Sequence, residues 1–167
     1  MTNAADAVIL RADLDRADHQ AAVVRLTAAY ALDGMANGEP LPADVLERLI
    51  PGLRAHPTTL VFLASLGGQF VGLATCFVGF STFAARPVIN LHDLCVLAPH
   101  RSRGIGRALL EAVEAEAVER GCAKVTLEVL ELNRPARALY ERHGFTPAVY
   151  RPENGPALFY AKGLPGH

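Results

Sequence analysis

Two stretches of the chain carry residue types at spacings that could do chemistry. The first runs Val96-Leu-Ala-Pro99-His100-Arg101-Ser102-Arg103-Gly104-Ile105-Gly106-Arg107-Ala-Leu109-Leu110. A strand pattern ends at Pro99, a glycine loop follows, and a helical pattern begins. Glycine lets a ligand come close to the backbone, and the free N–H groups of a helix start, with the helix dipole, form an anion site. Arg101, Arg103 and Arg107 add positive charge. The stretch reads as a cradle for a pyrophosphate, against the plainer reading of a basic strand-loop-helix connection. It is not a P-loop, because no Gly-Lys-Ser/Thr follows. It is a poor dinucleotide fingerprint, because Leu109 stands in the place of the third glycine.

The second stretch runs Asn133-Arg-Pro-Ala136-Arg-Ala-Leu139-Tyr140-Glu-Arg-His-Gly144-Phe145. Asn133 suits a helix N-cap and Gly144 the residue just past its end. Tyr140 follows Asn133 by seven residues, which puts both on one helix face. Read alone, this is equally a capped helix whose tyrosine packs inward.

The elements that must position these residues follow from hydrophobic periodicity and breakers. A strand is expected at 7–12. A helix follows at 15–32, with Ala21, Val24, Ala28 and Ala31 inward and Asp13 or Asp15 as its cap. After a Gly/Pro loop, a second helix at 43–55 carries Val45, Leu46, Leu49 and Leu53 on one side, with Pro51 able to kink or divide it. Strands at 59–66 and 69–80 meet at Gly67-Gly68, and a further strand covers 88–97. Gly104 to Arg120 is the clearest helix, with Ile105, Leu109, Leu110, Val113, Ala117 and Val118 buried and Gly121 as its stop. A strand at 123–130, a helix at 133–143 and strands at 145–150 and 157–163 complete a mixed α/β order, read as a single domain over 1–167.

Composition narrows the function classes. At 167 residues, 51% apolar and 20% charged, the chain is an ordered domain that needs no disulfide or metal to hold its core. A net charge of −1, with 14 arginines and two lysines in no run, gives no footprint for nucleic acid. Three cysteines without a C-x-x-C, and no basic-then-apolar leader, fit a reduced cytoplasmic setting. The uncharged stretch from Pro57 to Ala85 is long enough to span a bilayer. Gly67-Gly68-Gln69 and polar Ser65, Thr75, Ser81 and Thr82 interrupt it, so two strands are expected there and no membrane segment. Six histidines with no His-x-x-x-His pair predict no metal site.

Together the two stretches resemble the paired signature of the GCN5-related N-acetyltransferases: Arg-x-x-Gly-x-Gly opening a helix, then Asn-x-x-Ala-x-x-Leu-Tyr-x-x-x-Gly-Phe about 30 residues on. The element order over 7–163 is similar too. Leu91-His-Asp-Leu-Cys-Val96 further resembles the spermidine/spermine acetyltransferase branch, whose members usually carry an acidic residue where His92 stands. The resemblance implies a central sheet with splayed strands 88–97 and 123–130, and acetyl-CoA as co-substrate between them. The pyrophosphate would lie on backbone N–H groups from Ser102 to Arg107, with Ile105 and Gly106 between. Leu94, Cys95 and Val96 would pair their backbone with the pantetheine arm, and an N–H at or beside Val96 would polarise the thioester carbonyl. Asn133 would touch the cofactor, and Tyr140 would stand beside the sulfur as proton donor to the departing thiolate.

The implied reaction is direct transfer of acetyl to a primary amine of a small molecule. A protein N-terminal or lysine acetyltransferase and a non-catalytic acyl-CoA-binding module are the alternatives. No enzyme nucleophile is needed: no Gly-x-Ser-x-Gly is present, and Cys95 sits among apolar neighbours. His92 is the first base candidate, because it lies on the pocket strand and histidine is the residue type most often used for proton transfer. Asp93 should face away if that strand is regular. Glu128, on the facing strand with Thr126 on its side, is the second. Both also read as ordinary structural or solvated residues. The family usually builds its acceptor wall near Tyr30, Asp33, Met35 and Glu39, and homodimers are common in it.

Overall fold

The computed structural model describes residues 7–149 and 151–164. They divide into two compact units, one ending at Leu130 and one beginning at Glu131.

In the first unit the order is β1 (Val8–Arg11), α1 (Ala17–Ala31), α2 (Ala43–Ala55), β2 (Thr59–Leu66), β3 (Gln69–Ser81), β4 (Arg86–Val96), α3 (Ile105–Glu119) and β5 (Val125–Leu127). The five strands form one sheet in chain order. β1 to β4 are antiparallel neighbours, and β5, reached through α3, joins β4 in parallel. The uncharged stretch is the β2–β3 hairpin. Its turn glycines have φ of +56° and +78°, which only glycine adopts at little cost. Phe62, Leu63, Ala64, Leu73, Ala74 and Cys76 are buried along it, which is why it lacks charge. No described helix is long and apolar enough to cross a membrane.

The sheet has two distinct faces. Val61, Leu63 and Leu73 pack with Val23 and Leu26 of α1 and Ile50 of α2. Gly72 faces the other way: a Cβ there would lie 3.1 Å from Leu109 Cδ1 of α3. Glycine at 72 therefore lets α3 lie close to the strand.

Several expectations need correcting. The buried stripe of α1 is Ala22, Val23, Leu26 and Ala31 with His19, while Ala21 is exposed. Alanines on both sides of the helix gave that face no contrast. Arg16 occupies the N-cap without a side-chain bond, because Asp13 Oδ1 accepts from the Asp15 N–H instead. Pro51 does not divide α2, which stays one helix through this exposed position and so loses a single N–H donor. Val118 is 81% exposed, one position past the buried Ala117. β5 is only three residues long and ends before Glu128.

The second unit contains α4 (Arg134–Arg142). The Asn133 side chain accepts from the Ala136 N–H at 3.3 Å, and Gly144 follows the helix with φ +82°. Both residues do what their types suggest. The strand expected at 157–163 does not form, nor does the described part, 145–149, of the one expected at 145–150. Residue 150 lies outside the described residues. Among the described residues, the Ala157 N–H donates to the Ala148 carbonyl at 3.1 Å. Pro147 removes a ladder donor from the first segment. Residues 146–149 are exposed in it, and Leu158, Phe159 and Tyr160 are exposed in the second, so neither segment has a buried face.

Candidate functional site

β4 parts from β5 halfway along its length. The two pair at Ile89–Val125, Asn90–Thr126 and Leu91–Leu127 only. From His92 to Val96, β4 keeps β3 on one side and, among the residues of this unit, has no strand on the other. An open edge offers backbone donors and acceptors to an extended ligand.

A β-bulge coincides with the parting. Leu91 lies opposite Cys76 and Asp93 opposite the adjoining Thr75, so His92 is an extra residue. Opposed residues share a face. Cys95 lies opposite Leu73, on the α1 side, and Asp93 opposite Thr75 lies on that same side. Leu94 and Val96, opposite Ala74 and Gly72, turn to the α3 side. Asp93 thus does not face away from His92 as a regular strand would require. The His92 ring is exposed and meets Phe77 edge-on at 5.5 Å between centroids.

Asp93 is half-buried, and no hydrogen bond to its carboxylate is found among the described residues. Burial raises its pKa above the ordinary carboxylate range, and the neighbouring His92 offsets part of the rise. Tyr30, at the end of α1, is shifted up by burial and then by the charges of Asp93, Cys95 and Asp33, which places these groups together. Burial pushes the Cys95 thiol to about 11 and Cys76 to about 12, so neither is a ready thiolate near neutrality.

At the end of β4 the chain makes a single 3₁₀ turn, Ala98–His100, and enters the loop. Ser102 and Gly104 are both left-handed, with φ of +59° and +80°. A serine held there is strained, as residues at ligand-binding loops often are. Ala108 is the residue whose N–H reaches the Gly104 carbonyl, at 2.9 Å, leaving the amides of Ile105, Gly106 and Arg107 as the donors of the helix start. His100 Nδ1 is buried without a partner among the described residues. These features fit a phosphate-bearing ligand.

The arginines are not equivalent. Arg101 donates from Nε to the Val96 carbonyl at 2.8 Å and from Nη2 to Asp33 Oδ2 at 2.7 Å. Arg107 pairs with Glu111 one turn on, at 2.8 Å. Arg103 is exposed. Glu128 is exposed beyond the end of β5, where strand alternation no longer aims it. Thr126, its expected companion, accepts from the Asn90 side chain at 3.3 Å. In the second unit, Asn133 caps α4 and Tyr140 is 8% exposed, its ring 5.9 Å from that of Phe145.

Sequence reasoning missed Asp93. The available signal was the pair His92-Asp93 between Leu91 and Leu94: two adjacent polar residues break period-two alternation, as a bulge does.

The model of the acetyltransferase (GNAT) family matches residues 25–145. An uncharacterised N-acetyltransferase, YhfO, of Bacillus subtilis is 32% identical over 87 residues, 52% of this chain and 58% of that protein. The N-alpha-acetyltransferase MAK3 of Arabidopsis thaliana is 39% identical over 89 residues, 53% of this chain and 46% of its own length. A thialysine N-epsilon-acetyltransferase of Bos taurus is 33% identical over 78 residues, covering 47% of this chain and 45% of its own. The chain spans about half the length of the curated relatives it matches. An aminoglycoside acetyltransferase from an uncultured soil metagenomic sample shares the fold, with a TM-score of 0.74, 21% identity, and coverage of 96% of this chain and 98% of that one. The family match takes in the loop, the parted strand and α4, and this chain belongs to the acetyltransferase (GNAT) family.

Proposed function

We propose that the protein is an N-acetyltransferase that moves the acetyl group of acetyl-CoA directly onto a primary amine of a small molecule, in a ternary complex. The observation that carries this reading is the parting of β4 from β5 at a bulge, which opens a strand edge and turns Asp93 towards Tyr30. Residues 1–167 act as one catalytic domain in this reading, since the family match crosses from the first unit into the second. The proposed setting is cytoplasmic, supported by three free cysteines, and a homodimer is part of the same proposal.

Acetyl-CoA supplies an acetyl group activated as its thioester. The amides from Ser102 to Arg107 would hold its pyrophosphate, and the backbone of Leu94, Cys95 and Val96 would pair with the pantetheine arm. An N–H at or beside Val96 would donate to the carbonyl oxygen as charge develops there. Asp93 is the first base, because its raised proton affinity suits removal of an ammonium proton through water. His92 and Glu128 are the other candidates. Asn133 would contact the cofactor, and Tyr140 would give a proton to the departing thiolate.

Relatives named for thialysine and aminoglycoside substrates support the small-molecule reading. The match to an N-alpha-acetyltransferase favours a second reading, a protein N-terminus as acceptor. Thiol release from acetyl-CoA, measured across small amines and short peptides, tests both. Release with small amines supports the first reading. Release with peptides alone supports the second, and release with neither overturns the catalytic proposal.

A further inference from the structure

Arg101 opens the loop that would hold the cofactor's phosphates, yet its guanidinium is turned elsewhere. One edge grips the Val96 carbonyl at the tip of β4, and the other grips Asp33 just beyond α1. Asp33 in turn organises its own loop: its N–H reaches the Tyr30 carbonyl, its Oδ1 accepts from Met35 at 2.8 Å, and its carbonyl accepts from Ala36 at 2.9 Å. The Met35 N–H, and then Arg101, hold the Asp33 carboxyl below the ordinary range, so it stays ionised. Residues 30–36 share their face of β4 with Asp93, the half-buried carboxylate that would draw an ammonium group.

We propose that Arg101 is a positioning residue rather than a phosphate ligand: paired with Asp33, it fixes the 30–36 loop against the tip of β4 and so shapes the amine side of the site. This rests on the acetyltransfer reading. The Arg101 side chain is half-exposed, so the pair contributes little to stability as an ion pair. What it supplies is orientation, because the planar fork makes two directed bonds to groups 63 residues apart in the chain, Asp33 and Val96.

Asp33→Asn is the cleanest probe, since the amide oxygen can still accept from Met35 while the ion pair is lost. The KM for the amine should rise about tenfold, the order expected when a positioning contact is released. The Kd for CoA, by calorimetry, should move less than about threefold, a change of under 1 kcal/mol. Arg101→Gln should raise the amine KM to the same degree, and the double variant no further. Arg101→Lys, which cannot make both bonds, should fall between. Additive effects would overturn the proposal, as would a silent Asp33→Asn beside an Arg101→Gln that weakens CoA. If the wild type acetylates no amine, the acetyltransfer reading fails by itself. Hydrogen exchange at Met35 and Ala36 still tests the clip: it should quicken in both single variants, and unchanged exchange would overturn it.

Discussion

Asp93 stands opposite Thr75 across β3 and β4, on the face that carries Leu73, α1 and Tyr30. Only the extra residue at His92 lets it do so. A half-buried carboxylate with no hydrogen-bond partner among the described residues opposes folding when ionised, and groups so placed concentrate at functional sites.

This has a pH signature. The folded-state pKa of Asp93 is raised by burial, so the native state binds the proton more tightly than the unfolded chain. Its stabilising contribution is therefore present in acid and lost as pH rises through the folded pKa. Asp93→Asn should raise Tm at about pH 7.5, and the gain should shrink towards about pH 4, near the ordinary carboxylate pKa. Thermal melts across that range check this; a variant less stable at neutral pH would contradict it.

The same residue should set the acidic limb of the kcat/KM profile. Asp93→Asn should lower kcat/KM by roughly 10²–10⁴-fold and shift or abolish that limb. His92→Gln and Glu128→Gln should leave it in place. A limb unmoved by all three changes would mean that the amine sheds its proton before binding.

At the loop, Gly106→Val or Gly104→Val should weaken CoA binding in calorimetry with the fold intact, because a branched Cβ would stand where the phosphates approach the backbone. Gly104 adds strain of its own, since its φ of +80° is one that valine avoids. Unchanged affinity would remove the cradle from the account.

Tyr140→Phe keeps the ring and its neighbour Phe145 while deleting one hydroxyl. If thiolate departure limits turnover, kcat and kcat/KM should fall together by roughly 10²–10⁴-fold. A fall in Tm with full activity would make Tyr140 a packing residue only.

The parts of the fold that rest on strong local chemistry were legible in the sequence. Gly67-Gly68 dictates the hairpin, Asn133 and Gly144 bound α4, and Ile105, Leu109, Leu110 and Val113 define the inner face of α3. The α1 stripe was misplaced because alanine occurs on both of its sides. The expected strands at 145–150 and 157–163 rested on short apolar runs; Pro147 withholds a ladder donor in the first, and the apolar residues of the second, Leu158, Phe159 and Tyr160, find no buried face. The glycine loop that opens α3, a local motif, was legible. The facing of Asp93 and the grip of Arg101 on Asp33 were not, because one depends on strand register and the other on residues 68 positions apart.

The central claim is direct transfer from acetyl-CoA to an amine, with no acetyl group passing through the protein. Intact-mass measurement of the protein and of the amine, after reaction with acetyl-CoA, tests it most directly. The account predicts an unmodified protein and one acetylated amine for each CoA released, consistent with Cys95 and Cys76 thiols held near 11 and 12. A protein-bound acetyl group that disappears when amine is added would contradict it.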